Sequence, residues 1–212
     1  MDIKAFIFDM DGLLFDSERI VQRSWEIAGD ELGIPHMGDV IYHTLGMNRA
    51  GRNEYFRKYI REDFPFEEFG KLTRDNFWKI VDKEGLPLKK GTKELLAYGK
   101  SQGYKMASSS REYAMGNLIR AGIDSYFDSV VCGDMVKKAK PDPEIYQKAC
   151  ESLGIQPEYC MAFEDAPGGI LSAHQAGMHV IMVPDLVQPT QEIRELTYRV
   201  CDSLADVIGI LN

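Results

Sequence analysis

The chain has 212 residues, 44% of them hydrophobic, enough to bury a full core in one domain or in a domain carrying a modest insertion. A formal net charge of −8 at pH 7 argues against a nucleic-acid groove and against an anionic membrane surface. No apolar run approaches the roughly 20 residues needed to span a bilayer, the first residues carry no secretory pattern, and four cysteines at positions 132, 150, 160 and 201 show no metal-ligand spacing. The expectation is a cytoplasmic protein with reduced thiols, a monomer or weak homodimer with no nucleic-acid or membrane partner.

In chain order, the first element is a short apolar strand, Lys4–Phe8, which runs directly into Asp9 and Asp11. From Ser17 to Gly85 only helical periodicity follows. Ile20, Val21, Trp25, Ala28 and Leu32 fall on one face, with Ser17 placed to cap and Gly33 to stop, and Phe69, Leu72, Phe77, Ile80 and Val81 make a second stripe. An insertion of about 70 residues is too long for a loop and should pack as a small bundle. After it, the pattern alternates: helix 92–101, strand 104–108, helix 111–121, strand 129–132, helix 143–153, strand 160–164, helix 168–176 and strand 179–183. Gly122, Gly154 and Gly177 stand just past three of the helices, as helix stops do. The C-terminal part reads as a helix, an extended piece near Arg199–Cys201 and a last helix from about Ser203. Short, nearly continuous apolar strands alternating with helices predict an α/β fold: a doubly wound, Rossmann-like parallel sheet from residues 1–15 and 86–212, with residues 16–85 as an inserted all-helical domain.

Ligands of a doubly wound sheet bind outside the carboxyl ends of its strands, so the residues standing there carry the chemistry. They are Asp9 and Asp11 after the first strand, Ser108-Ser109-Ser110 after the second and Glu164-Asp165 after the fourth, with Lys140 in "KAKPDPEIY" ahead of the helix leading to that fourth strand. Four carboxylates on one rim repel one another unless protonated or bound to a cation. An all-oxygen set with room for water and phosphate oxygens suits Mg²⁺. Asp9 and Asp11, two apart in extended backbone, point the same way. A carboxylate is ionised at pH 7 and needs no base to act as nucleophile, which favours Asp9 for that role, with Asp11 as general acid and then base. Asp165 is expected to ligate the metal directly and Glu164 directly or through water. Ser108, helped by the backbone N–H of Ser109 at a helix start, is expected to hold a phosphoryl group. Gly12, Gly168 and Gly169 are read as sites of close backbone approach, and Met47, Met106, Met161, Met178 and Met182 as core filler.

Together "DMDGLLFDSE", "ASSS", "KAKPDPEIY" and "FEDAPGGILSAHQAGMHVIMVPD" resemble, in order and spacing, the four motifs of the haloacid dehalogenase superfamily of phosphohydrolases. The resemblance covers nearly the whole chain. It implies that Lys140 carries the superfamily's cationic role, that Asp9, Asp11 (through its backbone carbonyl), Glu164 and Asp165 surround Mg²⁺, and that turnover passes through an aspartyl-phosphate. The insertion resembles the small helical cap of the branch containing β-phosphoglucomutase and related sugar-phosphate phosphatases. Within it, "TLGMNRAG" resembles the cap segment whose arginine binds the substrate's polar end, which makes Arg49 a substrate-binding candidate.

Three functions are compatible with these motifs. A phosphatase acting on a small phosphorylated metabolite, of the sugar-phosphate type, is the first. A β-phosphoglucomutase-like isomerase is the second, but Val21 stands where that mutase has a histidine gating proton transfer, and only Thr73 and Arg74 lie near its cap lysine. Losing that gate favours hydrolysis. A receiver-type phosphoacceptor domain is the third, and the helical insertion and the position of Asp11 argue against it.

Overall fold

The computed structural model of the chain describes residues 2–44, 47, 49–110 and 114–211. The chain divides into two compact units, residues Ser17–Leu86 and the remainder, Met1–Asp16 with Pro87–Asn212.

The first unit is helical: α1 (Ser17–Glu31), α2 (Met37–His43), α3 (Arg49–Tyr59) and α4 (Phe66–Glu84). Its interior is aromatic. Trp25 of α1 meets Phe56 of α3 and Phe69 of α4 edge to face, each at 5.6 Å between ring centroids, and Ile20, Ile80 and Val81 form a second buried cluster. Edge-to-face contact adds about 0.5–1.5 kcal/mol per pair beyond burial. An ion pair from Arg23 to Glu84 ties the middle of α1 to the end of α4.

The second unit carries six strands, β1 (Ala5–Phe8), β2 (Lys105–Ser110), β3 (Ser129–Cys132), β4 (Cys160–Glu164), β5 (His179–Met182) and β6 (Arg199–Val200). They lie in the order β3-β2-β1-β4-β5-β6, every neighbouring pair parallel. The first strand made is thus central, and the chain reverses direction of travel across the sheet on either side of it. Helices α5 (Thr92–Ser101), α6 (Ala114–Ala121), α7 (Glu144–Leu153), α8 (Pro167–Gln175) and α9 (Gln191–Glu195) lie on the crossovers, and α10 (Leu204–Leu211) follows the last strand.

Both faces of the sheet are covered, which is why its strands are apolar at consecutive positions. Ile7, Ala107 and Ala162 line one face beneath Tyr146 and Ala149 of α7 and Ile170 and Ala173 of α8. The other face is aromatic: Phe8 and Phe163 stack at 4.7 Å, and Phe6 packs under α5, so close that a Cβ on Gly99 would lie 3.1 Å from its ring. Gly154 ends α7 in the left-handed region, at φ 67°, where its N–H reaches back to the carbonyl of Glu151. No helix among the described residues is long and apolar enough to cross a membrane.

The structure departs from the sequence expectations in four places. Strand β2 runs to Ser110 rather than stopping at Ser108, because Ser109 and Ser110 pair with Val131 and Cys132 of β3. Ser109, expected at a helix start, lies inside β2. Met47 is 41% exposed and fills no core, whereas Met106, Met161, Met178 and Met182 do. Gly168 has nothing within 4 Å of where a Cβ would stand, so close approach belongs to its neighbour Gly169 and to Gly12.

Candidate active site

Strand β1 places Asp9 one rung beyond its last residue: the Asp9 N–H donates to the carbonyl of Phe163 at 3.0 Å, continuing the ladder with β4. Since Phe8 pairs with Phe163, Asp9 comes level with Glu164 on the same face. The chain then turns tightly. The N–H groups of Leu14 and Phe15 both reach the carbonyl of Met10, and the Gly12 N–H reaches that of Phe15. Gly12 sits at φ 80°, and a Cβ there would lie 2.3 Å from Oδ2 of Asp165. Glycine is required twice over, for the backbone angle and for the space that the Asp165 carboxylate occupies.

Glu164 closes β4 and is only 1% exposed. Its carboxylate lies against the backbone of α8, where a Cβ on Gly169 would come within 1.9 Å of Cδ and Oε1. Asp9, Glu164 and Asp165 each offer an oxygen, and these three atoms lie within 4.8 Å of one another. Lys140 reaches into the group: its Nζ donates to Oδ1 of Asp9 at 2.5 Å and to Oε1 of Glu164 at 2.6 Å. Burial works against the ammonium, but the charges of Asp9 and Glu164 outweigh it and hold its pKa well above the ordinary lysine value. Burial likewise pushes the Glu164 carboxyl up, opposed by Lys140.

The loop carrying Lys140 is pinned at several points. The Glu144 carboxylate accepts from the backbone N–H groups of Lys137 and Lys138 at 3.0 Å, which lowers its pKa. Ser172 of α8 donates to the carbonyl of Asp142 at 2.6 Å, and the Glu144 N–H donates to Oδ1 of the same residue at 3.1 Å. These anchors fix the direction from which the ammonium arrives.

The structure thus brings together Asp9, Lys140, Glu164 and Asp165. Ser108, paired with Phe8 in register, and Ser109 stand at the adjacent end of β2, both fully buried, and neither hydroxyl has a hydrogen-bond partner among the described residues. Buried hydroxyls without partners cost about 1–3 kcal/mol each and call for a ligand or water. Asp11 lies in the turn, bridged to Phe15, outside the group of three carboxylates. Arg49 heads α3, and its side chain lies outside the described residues.

Two features went unread in the sequence. Tyr146 of α7, inside the quoted motif "KAKPDPEIY", is fully buried and its hydroxyl donates to Oε1 of Glu164 at 2.5 Å. A buried tyrosine on a core-facing helix position needs such a partner, which was the available signal. Lys89 and Asp185 form an ion pair of 2.6 Å, with Oδ2 of Asp185 3.4 Å from the Cβ position of Gly12.

The chain as a whole has counterparts among known proteins. The profile of the haloacid dehalogenase-like hydrolase family matches residues 6–183. The chain belongs to that family. A Thermotoga maritima protein named phosphorylated carbohydrates phosphatase is 32% identical over 182 residues, 84% of each chain. Hexitol phosphatase A of Escherichia coli is 31% identical, covering 86% of this chain and 84% of its own. Among solved structures, β-phosphoglucomutase from Clostridium difficile superposes with a TM-score of 0.73 at 25% identity, covering 97% of this chain and 93% of its own. The haloacid dehalogenase-like enzyme described here is a phosphoric monoester hydrolase, of the branch that holds the phosphatases and the β-phosphoglucomutase-like structures.

Proposed function

We propose that the enzyme is a Mg²⁺-dependent phosphatase that hydrolyses a small phosphate monoester, of the sugar-phosphate class, through an aspartyl-phosphate on Asp9. One observation carries the reading: three carboxylates from two strand ends, one of them almost fully buried, gather within 4.8 Å around a space that Lys140 alone does not neutralise. The set is all oxygen, cradled by Gly12 and Gly169, and fits a hard divalent cation. Bound Mg²⁺ would neutralise charge on the transferring phosphoryl oxygens.

The chain's own residues supply the remaining steps. Asp9 Oδ attacks phosphorus in line, forming the acyl-phosphate bond as the ester P–O bond breaks. Asp11 donates its proton to the departing alkoxide oxygen, which leaves as the alcohol. The now ionised Asp11 then takes a proton from water as that water attacks phosphorus, the acyl-phosphate bond breaks, inorganic phosphate departs and the Asp9 carboxylate is restored. The polar end of β2, with Ser108 and Ser109, and the Lys140 ammonium hold the phosphoryl oxygens. The helical unit is the cap of this reading and recognises the leaving group, with Arg49 as its substrate-binding candidate. Free thiols, three of them buried, fit a reducing cytoplasmic setting.

A mutase is the second reading, favoured by the likeness to β-phosphoglucomutase. A panel of sugar phosphates, assayed for inorganic phosphate with and without Mg²⁺, tests both. Metal-dependent phosphate release is expected. Glucose 6-phosphate accumulating from β-glucose 1-phosphate faster than free phosphate would replace the phosphatase by the mutase.

A further inference from the structure

Glu164 has more partners than a metal ligand requires. Its Oε1 accepts from the Tyr146 hydroxyl at 2.5 Å and from Lys140 Nζ at 2.6 Å. A carboxylate oxygen offers two in-plane lone pairs, and two short bonds engage both. The donors cannot drift: Tyr146 is fully buried beneath the sheet, and the Lys140 ammonium lies 5.0 Å from the centre of its ring. On its other side the carboxylate lies against Gly169. One oxygen, Oε2, is therefore left to face a cation.

We infer that Tyr146 is a positioning residue that makes Glu164 a one-oxygen ligand and thereby selects Mg²⁺ over Ca²⁺ at this site. The inference rests on the metal-dependent reading above. Mg²⁺ holds six ligands at about 2.0–2.1 Å in near-octahedral order, whereas Ca²⁺ takes six to eight at about 2.3–2.6 Å and readily accepts a carboxylate by both oxygens. Removing the phenol hydroxyl frees one lone pair of Oε1, lets the carboxylate turn both oxygens to the ion, and relaxes the demand for a small cation. A residue two bonds removed from the metal thus sets its identity, as hydrogen-bonded outer partners do elsewhere.

The test is calorimetric titration of the intact wild-type protein and of Tyr146→Phe with MgCl₂ and with CaCl₂, no substrate present. The variant is expected to lower the ratio of Ca²⁺ to Mg²⁺ dissociation constants about tenfold or more, a change that loose packing would not produce because it weakens both ions alike. An unchanged ratio overturns the inference while leaving the phosphatase reading intact. A wild type that binds neither ion overturns both, and is recognised before the variant is made. Should Tyr146→Phe not fold, wild-type crystals soaked with Mn²⁺ decide by anomalous scattering. One Glu164 oxygen on the ion with the other on Tyr146 supports the inference, and both oxygens on the ion overturns it.

Discussion

Replacing Gly169 by alanine is the sharpest perturbation of the carboxylate set. The new Cβ would stand 1.9 Å from Cδ and Oε1 of Glu164 and 2.2 Å from Oε2, where an uncrowded contact needs about 3.5 Å. The carboxylate must withdraw by roughly 1.5 Å, well beyond the few tenths of an ångström a hydrogen bond tolerates. Its bonds to Tyr146 and Lys140 then break, leaving a side chain that is 1% exposed without compensation. Breaking one side of a buried pair costs about 3–5 kcal/mol. Alanine in place of glycine within a helix returns at most about 1 kcal/mol, so the net loss is about 2–4 kcal/mol. Gly168→Ala is the internal control, in the same helical turn with nothing within 4 Å of its Cβ position, and it is expected to be neutral or to gain up to about 1 kcal/mol. Urea unfolding of the two variants beside the wild type reads the stabilities, and Mg²⁺ titration reads the site, where Gly169→Ala should lose at least about tenfold in affinity. If Gly169→Ala proved as stable as Gly168→Ala and bound Mg²⁺ like the wild type, the cradle argument would be wrong.

Further outcomes follow from the same geometry. Asp9→Asn should abolish phosphate release while leaving the protein folded, and Asp11→Ala should slow it about 10²–10⁴-fold; wild-type rates in either would remove the assigned roles. Lys89→Met should cost about 1.5–3 kcal/mol in urea unfolding, because Asp185, 12% exposed, loses its charged partner; an unchanged midpoint would show that the pair contributes nothing. Under native conditions a thiol reagent should modify Cys132 quickly and the buried Cys150, Cys160 and Cys201 only on unfolding. The hydrogen bond with the neighbouring Cys160 thiol, and then burial, raise the pKa of Cys150, and burial raises that of Cys201, which slows these two further. Two or more fast thiols would contradict the burial.

The doubly wound sheet was legible because strands buried on both faces are short apolar runs, and all five of the longer strands announce themselves that way. What hid was polar or local. Ser109 and Ser110 extend β2 by backbone pairing with β3, which no side-chain pattern records. Helix α3 buries little beyond Phe56, so its sequence offers no stripe, and α2 begins after His36 at φ 65° with no capping side chain. Within the site, the carboxylates could be read from strand ends, since topology alone brings those ends together, whereas the role of Lys140 came from the resemblance of its motif. Tyr146 could not, because its identity as core residue was evident while the partner of its hydroxyl depended on how α7 packs over β4. Gly168 and Gly169 are indistinguishable on paper, and only the path of the Glu164 side chain separates the open one from the occupied one.

The central placement of β1 also has a consequence during synthesis. Asp9 is made well before its partner Lys140, which follows it by 131 positions. At about 5–20 residues per second, that interval is on the order of ten seconds on the ribosome. For most of it the apolar strand and its acidic tip wait with neither flanking partner, because β2 begins only at Lys105 and β4 only at Cys160, while the whole helical unit emerges and has time to close on its own. The nascent chain therefore carries an unpaired, aggregation-prone strand past a finished helical bundle, and the sheet can be completed only by strands that emerge after it.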